Sequence, residues 1–303
     1  MNDGAPVIHS GGFAGTLEET ACPTCRPAPP PRRLYLSAEG IGYWRCPQCQ
    51  IEYASPRFDE ASLLRIYENA AFLIDKSAHE NWTHAQWQRQ GGRDWRVPHL
   101  KVALVKKYAG AHARVLDVGC ATGVFCRAGL DEGLRCEGID VSKMLTDIAR
   151  DVVKVPVQQI DVEHFDPPYR FGGIVIWDVL EHLYDPGRVL RACHRLLEPG
   201  GFIFAQVPNH RGVSNTIKAL TSRLGLKRKG YSHFGFPHHV YSFDKKSLTA
   251  MLAAAGFATR HFESWSHLYK DGATGAYAGF LIALTKKYCL TDYIIVVARK
   301  SPD

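Results

Sequence analysis

From residue 113 onward, short apolar runs alternate with stretches whose apolar residues recur at helical spacing. Val115, Leu116 and Val118 form one such run, which breaks at Gly119 and Gly123 into a helical pattern over Val124 to Asp131. Within the stretch 133–142 a second strand-like run ends on Asp140, with Ser142 placed to cap a helix through Arg150. Shorter runs follow near Val155 to Ile160, ending on Asp161, and over Ile174 to Trp177. Val189, Leu190, Cys193, Leu196 and Leu197 then fall on one helical face, stopped by Pro199, Gly200 and Gly201, and Phe202 to Val207 reads as a buried strand. Leu248, Leu252 and Ala255 mark a further helix ended by Gly256. Thr259 to Trp265 and Tyr293 to Ala298 supply the last strands, with an amphipathic helix around Ala276 to Tyr288 between them. Strands alternating with helices predict an α/β architecture, and seven strands are available for one sheet.

The first third of the chain reads differently. Residues 1–20 are Gly-rich, polar and aperiodic, which predicts a mobile tail. Cys22-Pro-Thr-Cys25 and Cys46-Pro-Gln-Cys49 are two C-x-x-C knuckles, each a tight turn that aims two sulfurs at one point. Strand-like segments near Leu34 to Leu36 and Ile41 to Arg45 lie between them, so residues 21–57 are expected to form a zinc ribbon. Four cysteines leave no open coordination position, which makes the Zn²⁺ structural. Residues 58–110 are expected to be a helical linker or cap. One helix runs over Phe58 to Ala70 behind Asp59, with Leu63, Leu64, Ile66 and Tyr67 near one face. A second covers Glu80 to Gln90 with Trp82 and Trp87, and a third runs from about Trp95 to Tyr108. Residues 111–303 hold the α/β domain.

A chain of 303 residues with 46% apolar and 22% charged content can bury a substantial core. It contains no apolar run of the ~20 residues a membrane span needs, and its N-terminus lacks the basic flank and apolar core of a signal peptide. A cytoplasmic location is the expectation. The net charge of +7 is dispersed apart from Lys227, Arg228 and Lys229, so an anionic substrate is compatible and nucleic acid is not the expected partner. Nine cysteines without a secretory signal argue for reduced thiols and a metal.

The turn after the first α/β strand reads Asp117-x-Gly119-x-Ala121-x-Gly123, and an acid, Asp140, closes the second. Strand, glycine turn and helix make a cradle for a cofactor, and an acid at the second strand tip can accept hydrogen bonds from both ribose hydroxyls. The pattern lacks the G-x-G-x-x-G of nicotinamide enzymes. It resembles the class I S-adenosylmethionine-dependent methyltransferases, whose Rossmann-like sheet has seven strands with the last inserted antiparallel. The resemblance implies that Asp117, Gly119, Cys120, Ala121 and Gly123 hold the methionine moiety. It places Asp161 at the adenine amino group, with Asp140 read as the ribose acid, and Val141 and Trp177 are also expected to bind the cofactor. The family's middle glycine is alanine at 121.

The stretch 177–209 resembles the fourth strand, connecting helix and fifth strand of small-molecule methyltransferases, including those acting on ubiquinone precursors. Residues 209–243 are then expected to be a helical substrate lid, carrying Ile217, Leu220 and Leu224 on one face. The lid leads into Phe236-Pro-His-His-Val-Tyr-Ser-Phe243, where His238 replaces the acid of the proline-acid-histidine-aromatic run seen in ribbon-bearing bacterial relatives. Asp166-Pro-Pro-Tyr169 imitates the DPPY of DNA-base methyltransferases but precedes the fourth strand instead of closing it, and reads as a turn.

The expected chemistry is methyl transfer to a small-molecule, sugar or lipid-linked intermediate, most readily at a hydroxyl. A hydroxyl acceptor needs a base, and the candidates are His182 and His239, with His182 favoured. The resemblance also admits Mg²⁺ on Asp178, Glu181 and His182, although the same letters occur where the acid simply contacts cofactor or backbone. Two other readings stay open at this level. One is an RNA methyltransferase with the ribbon as reader, and the other a non-catalytic cofactor-binding protein. The sequence sets no oligomeric state.

Overall fold

The computed structural model describes residues 7–10, 13–36, 41–68, 96–213, 215–217, 239–265 and 289–302. It opens with β1 (Val7–Ser10) and β2 (Phe13–Glu18), an antiparallel pair. Where a mobile tail is expected over 1–20, these strands are therefore a correction. Gly15 sits so close to α1, the helix Glu60–Glu68, that a Cβ there would come 2.7 Å from that of Ser62, so a glycine that reads as tail composition serves close packing. The three-stranded ribbon meander follows, as β3 (Arg32–Leu36), β4 (Gly42–Arg45) and β5 (Glu52–Ser55), all antiparallel. Next, β6 (Arg57–Phe58) pairs with β2, which takes Phe58 out of the helix expected from that position. As expected, Asp59 caps α1, its Oδ1 accepting from the Ser62 N–H at 2.8 Å.

Helix α2 (Arg96–Ala109) leads into the α/β domain. The domain continues as β7 (Arg114–Val118), α3 (Val124–Asp131), β8 (Arg135–Asp140) and α4 (Lys143–Ile148). Ser142 caps α4, which runs on as a π turn through Val153. After β9 (Val157–Gln159) and β10 (Phe171–Trp177) comes α5 (Pro186–Leu196), capped by Asp185. Then β11 (Leu197–Pro208), β12 (Tyr241–Ser242), α6 (Lys245–Ala254), β13 (Phe257–Trp265) and β14 (Tyr293–Lys300) complete the described chain. The helices expected over Glu80 to Gln90 and Ala276 to Tyr288 lie outside the described residues, as does most of the lid.

Seven strands form one sheet in the order β13-β14-β11-β10-β7-β8-β9. The five from β11 to β9 are parallel, and β14 enters antiparallel between β11 and β13, as the resemblance implies. Alternate residues of the central strands serve opposite faces. Leu116, Ile174, Ile176 and Ile203 join α5 and α6 in one core, while Val115, Val175 and Phe204 join α2 and α3 in the other. Both faces are covered, so the central strands read as near-continuous apolar runs. Strand β12 is not part of this sheet. It is the fourth strand of the ribbon sheet, antiparallel to β5.

Candidate active site

The parallel strands β7, β8 and β10 end together, and the loops leaving them enclose a cavity of about 740 Å³. A ligand crevice at the carboxyl ends of the strands is where open α/β sheets place it. The loop after β7 is shaped by positive φ at Gly119 (72°), Ala121 (46°) and Gly123 (77°). A Cβ at Gly119 would come 2.6 Å from Val179, and one at Gly123 2.5 Å from Val155. Glycine is thus required at both positions for close approach as well as for angle. Asp140 fastens the loop: its Oδ2 accepts from the Ala121 N–H and its Oδ1 from the Ser142 N–H, each at 2.9 Å.

Of the residues the sequence nominates for the cofactor, Asp117, Gly119, Cys120, Ala121, Asp140, Val141, Asp161 and Trp177 line this cavity. Gly123 stands behind it as the left-handed N-cap of α3. Asp161 lies on the rim, its Oδ1 accepting from the Glu163 N–H at 2.8 Å. The sequence reading misses Lys101, Tyr67 and Gln206, which also line the cavity. Two of the three leave a trace in the pattern. Lys101 interrupts the apolar stripe of α2 between Val97 and Val105, and Gln206 interrupts the apolar run of β11.

Asp117 is only 3% exposed, and burial pushes its carboxyl up to about 7. Lys101 opposes that rise, Asp140 adds to it, and the Cys126 thiol, 3.8 Å from Oδ2, opposes it. Burial likewise lowers Lys101, against the pull of Asp178, Asp117 and Glu181. The Lys101 ammonium lies 4.5 Å from the centre of the Trp177 ring. Trp177 Nε1 and Gln206 Oε1 are buried without hydrogen-bond partners among the described residues. Beside the loop's glycine cradle, these are the polar atoms a bound ligand would satisfy.

Across the cavity from the glycine loop, the chain turns at Asp178 (φ 57°) into the 3-10 turn Leu180–His182. The His182 and His239 ring centres lie 4.5 Å apart, and Tyr67 of α1 presents an edge to His182 at 6.0 Å. Glu181 Oε1 is 4.0 Å from His182 Nε2. Ligating atoms of Glu181, His182 and His239 lie within 4.8 Å of one another. Asp178 is not among them, so the Mg²⁺ alternative on Asp178, Glu181 and His182 is not the arrangement found. A 3-10 turn is not an α-helix, so the i, i+3, i+4 alignment does not form, and the Asp178 carboxylate accepts from Gln206 Nε2 instead. Two imidazoles and one carboxylate do not fit Mg²⁺, which takes oxygen ligands. The Asp166-Pro-Pro-Tyr169 stretch is irregular chain that bends at Pro168 and Tyr169 before β10, with Tyr169 donating to Glu137 at 3.0 Å.

The four knuckle cysteines are buried, and their sulfurs also lie within 4.8 Å of one another. Cys22 and Cys49 are 3.5 Å apart, Cys25 and Cys46 3.8 Å. Sulfurs bound tetrahedrally at ~2.3 Å from Zn²⁺ stand about 3.8 Å from each other, so the set fits that ion.

A family profile described as a methyltransferase domain matches residues 87–261, more than half of the chain. The chain belongs to the methyltransferase-domain family. Its similarity to the ubiquinone biosynthesis O-methyltransferase of Pseudomonas aeruginosa is 33% identity over 142 residues, 43% of this chain and 60% of that protein. The Bordetella bronchiseptica protein of the same name is 33% identical over 165 residues, 52% of this chain and 66% of its own. The methyltransferase match thus spans less than two thirds of these relatives. Two solved structures share the fold. The 1,6-didemethyltoxoflavin-N1-methyltransferase of Burkholderia thailandensis has a TM-score of 0.51 at 18% identity, covering 89% of this chain and 100% of its own. Magnesium protoporphyrin IX methyltransferase of Synechocystis PCC 6803 has a TM-score of 0.53 at 14% identity, covering 80% and 100%. Both were solved with the demethylated cofactor S-adenosylhomocysteine bound.

Proposed function

We propose that this methyltransferase domain transfers a methyl group from S-adenosylmethionine to a hydroxyl of a small-molecule, sugar or lipid-linked biosynthetic intermediate in the cytoplasm. The observation that carries the reading is the opposition, within one cavity, of two acids at strand ends and a pair of imidazoles. Asp140 is fixed by two backbone N–H groups and would hold the ribose hydroxyls at the second strand tip. Asp117 and the loop from Gly119 to Gly123 would receive the methionine end, Asp161 the adenine, and Val141 and Trp177 the flanks. S-adenosylmethionine brings an activated methyl group, so the protein has to align the acceptor and remove its proton. His182 is the base: it is buried, faces the cavity and has Glu181 and His239 beside it. The acceptor hydroxyl's proton passes to that imidazole. A structural Zn²⁺ on Cys22, Cys25, Cys46 and Cys49 completes the assignment.

The relatives' names support oxygen as the acceptor atom, since the ubiquinone biosynthesis enzymes are O-methyltransferases. The test is incubation of the pure protein with methyl-labelled S-adenosylmethionine and fractionated cell extract, with the labelled product identified by mass spectrometry. Label on a small hydroxylated compound is expected. Absence of any binding heat for S-adenosylmethionine in calorimetry would overturn the proposal.

A further inference from the structure

We infer that the zinc ribbon is a working part of the methyl-transfer site: through β12 it holds His239 against His182, so metal occupancy of the four cysteines sets the geometry of the imidazole pair. The inference rests on the reading of that pair as the acceptor side of the site. Its structural basis is that β12 is a ribbon strand, with Tyr241 facing Tyr53 and Ser242 facing Glu52 of β5. One residue earlier, Val240 is pinned on both sides. Its carbonyl accepts from the Ala54 N–H at 3.1 Å, and its N–H donates to the Glu181 carbonyl at 2.9 Å. Val240 is therefore a backbone bridge between the ribbon and the turn that carries Glu181 and His182, and His239 is its immediate neighbour.

The path from metal to bridge is short. The second knuckle is closed by the Gln50 N–H donating to the Cys46 carbonyl at 2.9 Å and the Cys46 N–H donating to the Ile51 carbonyl at 3.0 Å, and β5 starts at the next residue. Ile51 and Tyr53 share one buried cluster with the cysteines, Val240 and Tyr241. Arg57, just past β5, adds a second tie by donating to both the Tyr184 carbonyl and the Tyr241 hydroxyl. Small ribbons owe their fold to the ion, because four clustered thiols do not hold two knuckles together by themselves. Without the ion, β5 loses the knuckle that anchors its start, and residues 239–242 lose their ladder partner. The cofactor end is insulated from this loss, because Asp117 and Asp140 sit on strands held by their own parallel ladder. Ala54 is thus a positioning residue that acts through its backbone N–H.

The test compares zinc-loaded full-length protein with the same protein stripped by a chelator, metal content being measured directly. The first readout is the ring NMR signal of His239, assigned by its disappearance in His239→Gln, and it needs no turnover. Stripping is expected to shift that signal and alter the pH profile of kcat. It should also lower kcat at least about tenfold while leaving S-adenosylmethionine affinity within about twofold. Ala54→Pro, which removes the bridging N–H and keeps all four cysteines, should reproduce the shift with zinc retained, and Ala54→Val should not. If Ala54→Pro does not fold, the stripped wild-type chain carries the test. A His239 signal unmoved by zinc removal overturns the inference. Failure of the zinc-loaded protein to bind S-adenosylmethionine overturns the methyl-transfer reading instead, and the NMR comparison then stands by itself.

Discussion

His182 and His239 face each other at 4.5 Å between ring centres and 57° between planes, although one follows β10 and the other precedes β12. His182 is buried, lines the cavity and has the Glu181 carboxylate 4.0 Å from its Nε2, the placement a general base needs. His182→Ala should therefore lower kcat by roughly 10²-fold or more while leaving S-adenosylmethionine affinity nearly unchanged. Steady-state rates alongside calorimetry check this. An unchanged kcat would remove His182 from the role of base.

The raised carboxyl of Asp117 makes cofactor binding depend on pH. Its folded value lies near 7, above the ordinary 3.8, so the empty protein holds a proton there between these limits. The extra proton stabilises the empty fold below about pH 4, and that contribution is lost as the pH rises through about 7. A cationic ligand reverses the preference, because it favours the carboxylate. Affinity for S-adenosylmethionine should fall below pH 7, by at most about tenfold per pH unit, and binding at pH 6 should release a proton. Calorimetry in two buffers of different ionisation enthalpy measures that release, and Asp117→Asn should abolish it.

Asp140 does two jobs with one carboxylate, bracing the glycine loop at Ala121 and presenting acceptors to the cavity. Hydrogen bonds to a charged group are worth roughly 1.5–3 kcal/mol each. Loss of even one such bond in Asp140→Ala should thus weaken cofactor binding by roughly 10- to 150-fold. The empty fold should lose stability as well, since the same carboxylate accepts from the Ala121 and Ser142 N–H groups, so thermal melts of the ligand-free protein measure that share. Retained affinity in Asp140→Ala would show that the ribose is held elsewhere.

The parts of this molecule visible in the sequence are those set by local chemistry. Strands β7, β10, β11 and β14 read correctly because both faces of each are apolar, and the knuckles read correctly because two C-x-x-C turns announce their own geometry. Asp117 and Asp140 were legible as acids at strand ends. What escaped the sequence depends on distant partners. Strand β12 has two residues, too few for any periodicity, and exists because β5 offers it an edge. Lys101 looks like an ordinary helix lysine until the fold puts three carboxylates near it. The backbone of the turn carrying Asp178, Glu181 and His182 was not legible either: the chain takes a positive φ at Asp178, and nothing in the letters announces it.

Arg57 shows how firmly the ribbon is fixed to the domain. It is 6% exposed, donates to the Tyr184 carbonyl at 2.7 Å and to the Tyr241 hydroxyl, and packs its guanidinium 4.3 Å from the Tyr184 ring centre. Removing it leaves the Tyr241 hydroxyl without that donor and the Tyr184 carbonyl with only the Tyr241 O–H at 3.1 Å, and Arg57→Leu should destabilise the protein by about 2 kcal/mol. Chemical denaturation measures the loss. Arg57→Lys should recover only part of it, because an ammonium cannot reach both acceptors with the geometry of a planar fork.

Ala121 holds a backbone conformation that its side chain opposes. At φ 46° it lies in the left-handed region, where a Cβ costs roughly 1–2 kcal/mol, yet its N–H must point at Asp140. The ladder that fixes Asp140 and the close packing of Gly119 and Gly123 leave the loop no other path, so the strain is retained. Ala121→Gly relieves it, and the relief exceeds the entropy glycine adds to the unfolded chain. The variant should gain about 1 kcal/mol, a rise in Tm of about 2–4 °C for a domain of this size. Cofactor affinity should hold or improve, since the methyl group that narrows the cradle is gone. Ala121→Val pushes the other way, because a β-branched side chain tolerates positive φ least. It should lower both Tm and affinity. Thermal melts of the two variants beside the wild-type protein, with and without S-adenosylmethionine, separate loop strain from cofactor contact. A gain in Ala121→Gly that is the same with and without ligand assigns the effect to the loop backbone.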